Sequence, residues 1–534
     1  MQTRSFVRLG TEAEATRHYL PDPFVRPLFP LLPMRRNLHL SRLLVLFVGV
    51  LAMTAPALAQ SDAEVAALED LIDAQLDAEA FDDAYWGAYV VDLTADRVLY
   101  DRNAARRFIP ASNMKLFSTA ALLDALGPDF KYTTRLYADG DVRDGTLLGS
   151  LVVRGSGDPT FGGRYTGGDL TRTFRQWADS LKAMGVRRIT GDVIGDDDVF
   201  DDRALGDGWQ WDDLVWYYGA EISGLQYNEG TINLAVHGTR PGERARIEVE
   251  PNVGYIQLAN RTTTTDGGSI REGYSRDLSS NRFTVTVSVP AGRVEREAVA
   301  VSNPTAYFVR TLVAVLRREG IEVDGDAIDV DEWDGGTIDY EDLDRVATHR
   351  SPSLKNIIAE TNTESNNVFS EHLLRTLGAL RYTGDEHIPG SARSGVAAME
   401  PFLNRIGVDP ASLRIADGSG LSALNRLTPL ATLRLLRAMH EHPNPAIAEA
   451  FYDSLPIGGR TGTLERRYGS GDARGNVRAK TGFISGARTL SGYVTAANGH
   501  LIAFSLMCNH YSVRTSRVNR AQDAVVELLA DLGG

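Results

Sequence analysis

Residues Phe108–Gly127 read FIPASNMKLFSTAALLDALG, and within them Ser112 is followed three residues later by Lys115. From Ala111 the apolar positions Leu116, Ala120, Leu123 and Leu126 recur at helical spacing, and Gly127-Pro128 ends the run. A Ser and a Lys at i and i+3 near a helix start project from one face. A serine hydroxyl is a weak nucleophile until a base takes its proton. Lysine can be that base only when neutral, which asks its pKa to fall from about 10.4 by roughly three units, about 4 kcal/mol. Arginine cannot do this, because it does not deprotonate. The distinction matters here: of 56 Lys and Arg residues only five are lysines, Lys115, Lys131, Lys182, Lys355 and Lys480. Five lysines still produce Ser-x-x-Lys by chance about a third of the time, so the pair alone decides little.

Two later stretches give it company. AETNTESNNVFSEH holds Ser365-Asn366-Asn367, and VRAKTGF holds Lys480-Thr481-Gly482. Ser-x-x-Lys, then Ser-x-Asn, then Lys-Thr-Gly is the signature of the serine penicillin-recognising enzymes. The contexts match as well: a helix start, a turn between helices and an edge strand. Two of the five lysines fall inside the signature.

Further stretches narrow the resemblance: VRGSGDPTF, SGLQYNEGTINL, SNPTAYFVRTL, SPSLKNIIAETNTESNNVFSEHLLRTLG, IADGSGLSALNRLTP, LPIGGRTGTL and RAKTGFISGARTLSGYV. From about Trp86 to the end the chain resembles the D-alanyl-D-alanine carboxypeptidases/endopeptidases, the class C low-molecular-mass penicillin-binding proteins. The resemblance implies an α/β fold: a β-lactamase/transpeptidase-like domain, its sheet flanked by helices on both sides, interrupted by large β-rich insertions. The 250 residues between Lys115 and Ser365 are more than a compact β-lactamase needs. A β-lactamase and a non-catalytic wall-binding module are the competing readings.

The same resemblance assigns roles. Ser112 attacks the carbonyl between two D-alanines, forming an acyl-enzyme, and Lys115 takes its proton. Ser365 relays a proton to the leaving amine between Lys115 and Lys480. Asn367 holds the substrate amide and Lys115. Lys480 offers positive potential to the substrate carboxylate and titrates as a pair with Lys115. Thr481 gives the carboxylate a hydroxyl, and backbone N–H groups of Ser112 and Phe483 form the oxyanion hole beside Gly482. Phe483 departs from the Thr or Ser usual after Lys-Thr-Gly and loses a second hydroxyl. Arg488 is the residue expected to compensate, unless the preference shifts toward crosslinked peptides. Peptidoglycan peptide stems are the expected substrates and β-lactams the acylating inhibitors, with no cofactor or metal.

Composition bounds the rest. A formal charge of −14 argues against nucleic acid as a partner. From Met34, MRRNLHLSRLLVLFVGVLAMTAPALAQ has the order of a secretory signal: arginines, an apolar run Leu43–Met53, then Ala57-Leu58-Ala59. Residues 1–59 therefore read as an upstream extension and signal peptide cleaved after Ala59, with Met34 the expected start and a periplasmic or otherwise extracytoplasmic location. An uncleaved leader would instead give peripheral membrane association. Texture divides the remainder into 60–135 plus 346–534, the catalytic domain, and 136–345, a β-rich insertion of two nested parts. The single cysteine, Cys508, reads as strand packing.

Several decoys have blander readings. Glu400-Pro401-Phe402-Leu403-Asn404 matches a deacylation motif of class A β-lactamases, but Ala398, Phe402 and Ile406 mark a helix with Glu400 on its wet side. GDDDVFDD at 195–202 lacks the spacing of a calcium loop and reads as a solvated turn. His440-Glu441-His442 before Pro443 reads as a surface helix end. GGRTGT has no following Lys and is no P-loop, and no G-x-S-x-G elbow occurs. Tyr217, Tyr218, Tyr227 and Asn228 fit either the cleft or the insertion's packing.

Overall fold

Along the strand Leu501–Asn509, Ile502, Phe504, Leu506 and Cys508 enter one apolar core while Ala503 and Met507 enter another. Successive strand residues point to opposite faces, so a strand apolar on both must be covered on both. This computed structural model, which describes residues 61–381 and 389–534, shows that arrangement. The strand lies third in a five-stranded antiparallel sheet ordered Arg478–Ile484, Ala487–Thr495, Leu501–Asn509, Tyr85–Asp92, Arg97–Arg102. Chain segments from both sides of the insertion thus build one sheet. The signal segment lies outside the described residues; among those described, no helix is long and apolar enough to cross a membrane.

One face of the sheet is covered by helices Asp62–Leu76 and Thr515–Ala530, which contribute Leu68, Ile72, Val518 and Val525. Ser61 and Glu64 close a capping box at the start of the first. The other face carries Met114–Leu126, Leu354–Thr363, Asn367–Arg381, Ala392–Arg405 and Pro429–His440. Met114–Leu126 is buried on every side from Met114 to Leu123, as befits a central helix. Gly127 ends it with φ +76 and donates its N–H to the Leu123 carbonyl.

Between residues 133 and 350 stands a second, mixed sheet. Its outermost antiparallel pair, Thr133–Arg143 with Asp344–Arg350, is where the chain leaves and returns. Smaller sheets lie between residues 231 and 300. These strands share a core with two helices, Arg172–Ala183 and Pro304–Arg318. A reading of short β-rich runs misses both. Each is amphipathic, burying Phe174, Trp177 and Leu181 or Phe308, Leu312 and Val315, and Asn303 caps the second through Ala306 N.

The helix and cysteine decoys fall as their blander readings have them, but the acidic stretch does not read as a solvated turn: Gly195 and Asp196 close a buried strand, Val193–Asp196. Glu400 is exposed on Ala392–Arg405, whose buried side is Met399, Phe402 and Leu403. His442 pairs with Asp124 at the surface. Asp197, just beyond strand Val193–Asp196, is largely buried and accepts from Ser223 and Thr305, and burial pushes its carboxyl up to about 6. Cys508 is buried, and burial pushes its thiol up to about 12.

Candidate active site

Ser112 sits in a single 3₁₀ turn, Ala111–Asn113, that leads directly into helix Met114–Leu126. Ala111 before it has φ +46, a conformation that L residues adopt at a cost. The turn is pinned from the Lys-Thr-Gly strand and its neighbour Ala487–Thr495: Asn113 Nδ2 donates to the Lys480 carbonyl at 2.8 Å, and Ser491 Oγ donates to Asn113 Oδ1 at 2.8 Å. Thr489 Oγ1 donates to the Pro110 carbonyl at 2.8 Å. Asn113 and Thr489 carry no signal in the sequence reading; their role needs the strand's position.

Ser365 is held just as tightly. Helix Leu354–Thr363 ends in a Schellman turn, with Asn366 N–H bonded to the Thr361 carbonyl at 3.1 Å and Ser365 in the left-handed position, φ +61. Asn366 Oδ1 then caps the next helix through Phe369 N–H. Two helices meeting at this corner place Ser365 against Lys480 and Asn367 against Lys115.

The three motifs converge. Lys115 is fully buried, and its Nζ lies 3.0 Å from Ser112 Oγ, 2.6 Å from Asn367 Oδ1 and 2.7 Å from the Ser419 carbonyl. The last two partners only accept, so they take two N–H groups. A neutral amine has just two, which leaves its lone pair for the Ser112 hydroxyl. Burial lowers Lys115 to about 7 against the opposing pull of Asp417 and Glu371. Lys480, also buried, donates to Ser365 Oγ at 2.8 Å and to the Thr481 carbonyl. Burial first, then Lys115 and Arg488, hold it well below the usual lysine range. Asn367 Nδ2 donates to the Tyr218 carbonyl at 2.8 Å, which settles Tyr218 at the cleft. Tyr227 packs instead among Phe174, Tyr307 and Phe308.

At the strand, Gly482 lies so close that a Cβ there would sit 3.0 Å from Ser112 N and 2.2 Å from Thr489 Oγ1. Thr481 Oγ1 bonds Thr463 Oγ1 at 2.8 Å, and Phe483 is half exposed. Thr463 lies in the quoted LPIGGRTGTL stretch, where nothing in the letters marks it. Arg488 is engaged by Asn519 Oδ1 at 2.6 Å and lies 5.9 Å from the Phe483 ring. Burial, with Arg467 nearby, brings it down to about 10.

A serine beside a buried lysine, a second lysine bridged by a hydroxyl and a sheet-edge strand over the nucleophile together define a serine penicillin-recognising enzyme with an inserted region. More narrowly, the chain belongs to the D-Ala-D-Ala carboxypeptidase 3 (S13) family, whose model matches residues 68–532. It is 33% identical over 500 residues to a D-alanyl-D-alanine carboxypeptidase of Actinomadura sp., covering 90% of this chain and 88% of the relative. The carboxypeptidase DacB of Haemophilus influenzae is 28% identical over 80% of this chain and 85% of its own. The fold matches crystalline penicillin binding protein 4 of H. influenzae with a TM-score of 0.72 at 24% identity, covering 88% of this chain and 99% of the other. That protein has also been crystallised with a β-lactam.

Proposed function

We propose that the chain is a serine-type D-Ala-D-Ala carboxypeptidase, acting on peptidoglycan peptide stems through an acyl-enzyme and acylated by β-lactams. The observation that carries it is the Lys115 amine, held by Asn367 and Ser419 with its remaining direction toward Ser112 at 3.0 Å. Ser112 Oγ attacks the penultimate D-Ala carbonyl while its proton passes to Lys115. The developing oxyanion is received by the N–H groups of Ser112 and Phe483. The proton then travels through Ser365 to the leaving D-Ala amine, and water completes the cycle with Lys115 again as base. Asn367 holds the substrate amide, and Gly482 lets the edge strand approach.

Lys480, Thr481 and Arg488 supply the positive, donor-rich end for the terminal carboxylate. Thr463, bonded to Thr481, adds the second hydroxyl that Phe483 lacks. Cleavage of crosslinked peptides is a second activity that the open, apolar Phe483 corner accommodates. We further take 60–135 with 346–534 as the catalytic domain and 136–345 as the insertion, and place the mature protein outside the cytoplasm after cleavage at Ala59.

The test is a fluorescent penicillin followed by intact mass, with Ser112→Ala as control, beside D-Ala release from a pentapeptide and scission of crosslinked dimers. A long-lived adduct lost in the variant, together with D-Ala release, is the expected result. Rapid turnover of the label would favour a β-lactamase. No adduct would leave a wall-binding module.

A further inference from the structure

Beneath Lys115 lie two buried carboxyls that belong to none of the three motifs, Glu371 and Asp417. Glu371 is on helix Asn367–Arg381, one turn beyond Asn367; Asp417 opens the Asp417-Gly418-Ser419-Gly420 loop. We propose that both are positioning residues for the general base: they clamp the peptide groups of residues 418–420 that orient Lys115, and their shared charge governs how readily Lys115 releases its proton. The proposal rests on the acyl-enzyme reading above.

The clamp is visible bond by bond. The peptide joining Ser419 and Gly420 gives its carbonyl to Lys115 at 2.7 Å and its N–H to Asp417 Oδ1 at 2.8 Å. An anion on the N–H end of a peptide group strengthens the carbonyl at the other end as an acceptor. The peptide joining Gly418 and Ser419 gives its N–H to Glu371 Oε1 at 2.7 Å, while its carbonyl accepts from Ser118 Oγ and Ser370 Oγ, each at 2.7 Å. Both planes are therefore fixed at both ends. Gly420, φ +84, passes so near the nucleophile turn that a Cβ would lie 1.9 Å from the Ala111 carbonyl.

The two carboxyls are not equivalent. Asp417 meets four donors, Gly420 N, Ser422 N, Asn425 Nδ2 and Trp209 Nε1, and so serves as a pure acceptor. Glu371 meets only the N–H groups of Gly418 and Ser419, and burial with Asp417 beside it pushes it up to about 7. Near neutral pH it is the member that exchanges a proton. Around the pair stand Lys115 and, beyond it, Lys480 with Glu364. Arg375 lies on the helix of Glu371 and is paired with Asp201. Each negative charge under Lys115 favours its ammonium form, so removing one should release the proton at lower pH.

The test follows benzylpenicillin acylation by intact mass across pH for the wild-type chain and Glu371→Gln. Gln keeps an acceptor where Oε1 now receives both N–H groups, but it cannot carry charge. The rate at the plateau should stay within about three-fold while the rising limb moves down by about one pH unit. Glu371→Ala loses the acceptor, and its plateau should fall at least about ten-fold, a loss that Gln restores. Should Glu371→Gln not fold, Trp209→Phe removes the Nε1 donor that helps fix Asp417 and loosens the loop that orients Lys115, so its plateau should fall, by less than in Glu371→Ala. A limb that stays in place in folded Glu371→Gln, or a plateau that stays in place in Trp209→Phe, overturns the positioning role. No adduct in the wild-type chain would instead overturn the acyl-enzyme reading beneath it.

Discussion

At the scale of single residues, what matters at Lys115 is a proton it can lose. Lys115→Arg could still reach Asn367 and Ser419, but it fixes a positive charge there, because guanidinium does not deprotonate. Penicillin acylation should fall by about 10²–10⁴-fold, the worth of a general base, in protein assayed well below its thermal midpoint. In the wild-type chain the sign of the pH effect follows from the lowered lysine at about 7. Below that pH the amine is an ammonium with no lone pair for Ser112, so acylation should climb with pH through the neutral region and then level. A rate that is flat from pH 5 to 9 would contradict Lys115 as base. Phe483 raises a separate question, since it offers no hydroxyl to a free carboxylate. Phe483→Thr restores one beside Thr481, and a hydrogen bond to a charged group is worth about 1.5–3 kcal/mol. Were that place empty, D-Ala release would gain about ten-fold or more in kcat/KM. With Thr463 already bonded beside Thr481, the rate should change little, and a ten-fold gain would show that Thr463 does not fill the place.

Among the elements, strand Arg478–Ile484 and the Ala111–Asn113 turn form one machine part. Asn113 stitches them through the Lys480 carbonyl, and Thr489 on the adjoining strand Ala487–Thr495 holds the Pro110 carbonyl just before the turn. Gly482 permits the closeness, since the nearest neighbours of a Cβ there would be Thr489 Oγ1 at 2.2 Å and the Pro110 carbonyl at 2.7 Å. Gly482→Ala must push the strand away from Ser112. A displacement near 1 Å costs about 10²-fold in rate, which an acylation assay at a temperature where the variant is folded would register. Much of this was readable in advance, because Ser-x-x-Lys, Ser-x-Asn and Lys-Thr-Gly each carry chemistry in consecutive letters. The carbonyls of Ser419 and Tyr218 were not, because any residue type supplies a backbone carbonyl and only the fold brings it to Lys115 or Asn367. Glu371 and Asp417 stayed hidden for a related reason: a lone acidic letter reads as surface until its burial is known. Helices Arg172–Ala183 and Pro304–Arg318 were lost among short strands, where glycine-rich turns on either side set the impression of β structure.

For the whole molecule, the insertion reaches the reaction centre as well as the surface. Tyr218 holds Asn367, Trp209 holds Asp417, and Arg375 runs from the catalytic helix to Asp201 and the Arg203 carbonyl. A fourth tie runs through charge. Asn366 Nδ2 donates to Glu229 Oε2 at 2.7 Å, Glu229 pairs with Arg164, and Arg164 pairs with Glu360 on the helix before Ser365. This explains why Asn366 suits this chain: an acid there would face Glu229 across a donor's distance. Asn366→Asp keeps the cap on Phe369, because Oδ1 is unchanged, and replaces only the donor. Two carboxylates this close, both partly buried, repel. The variant should lose about 1–2 kcal/mol of stability at pH 7, as measured by urea unfolding. The loss should shrink as the solution is acidified and one carboxyl takes a proton. In Asn366→Asp with Glu229→Gln, the new amide can donate to the new carboxylate, so most of the stability should return. That non-additivity is the signature of direct contact. Acylation by penicillin should track the same pattern, because Ser365 and Asn367 flank the residue being changed. If the two substitutions simply add, the insertion is not coupled to the Ser-x-Asn corner through Glu229.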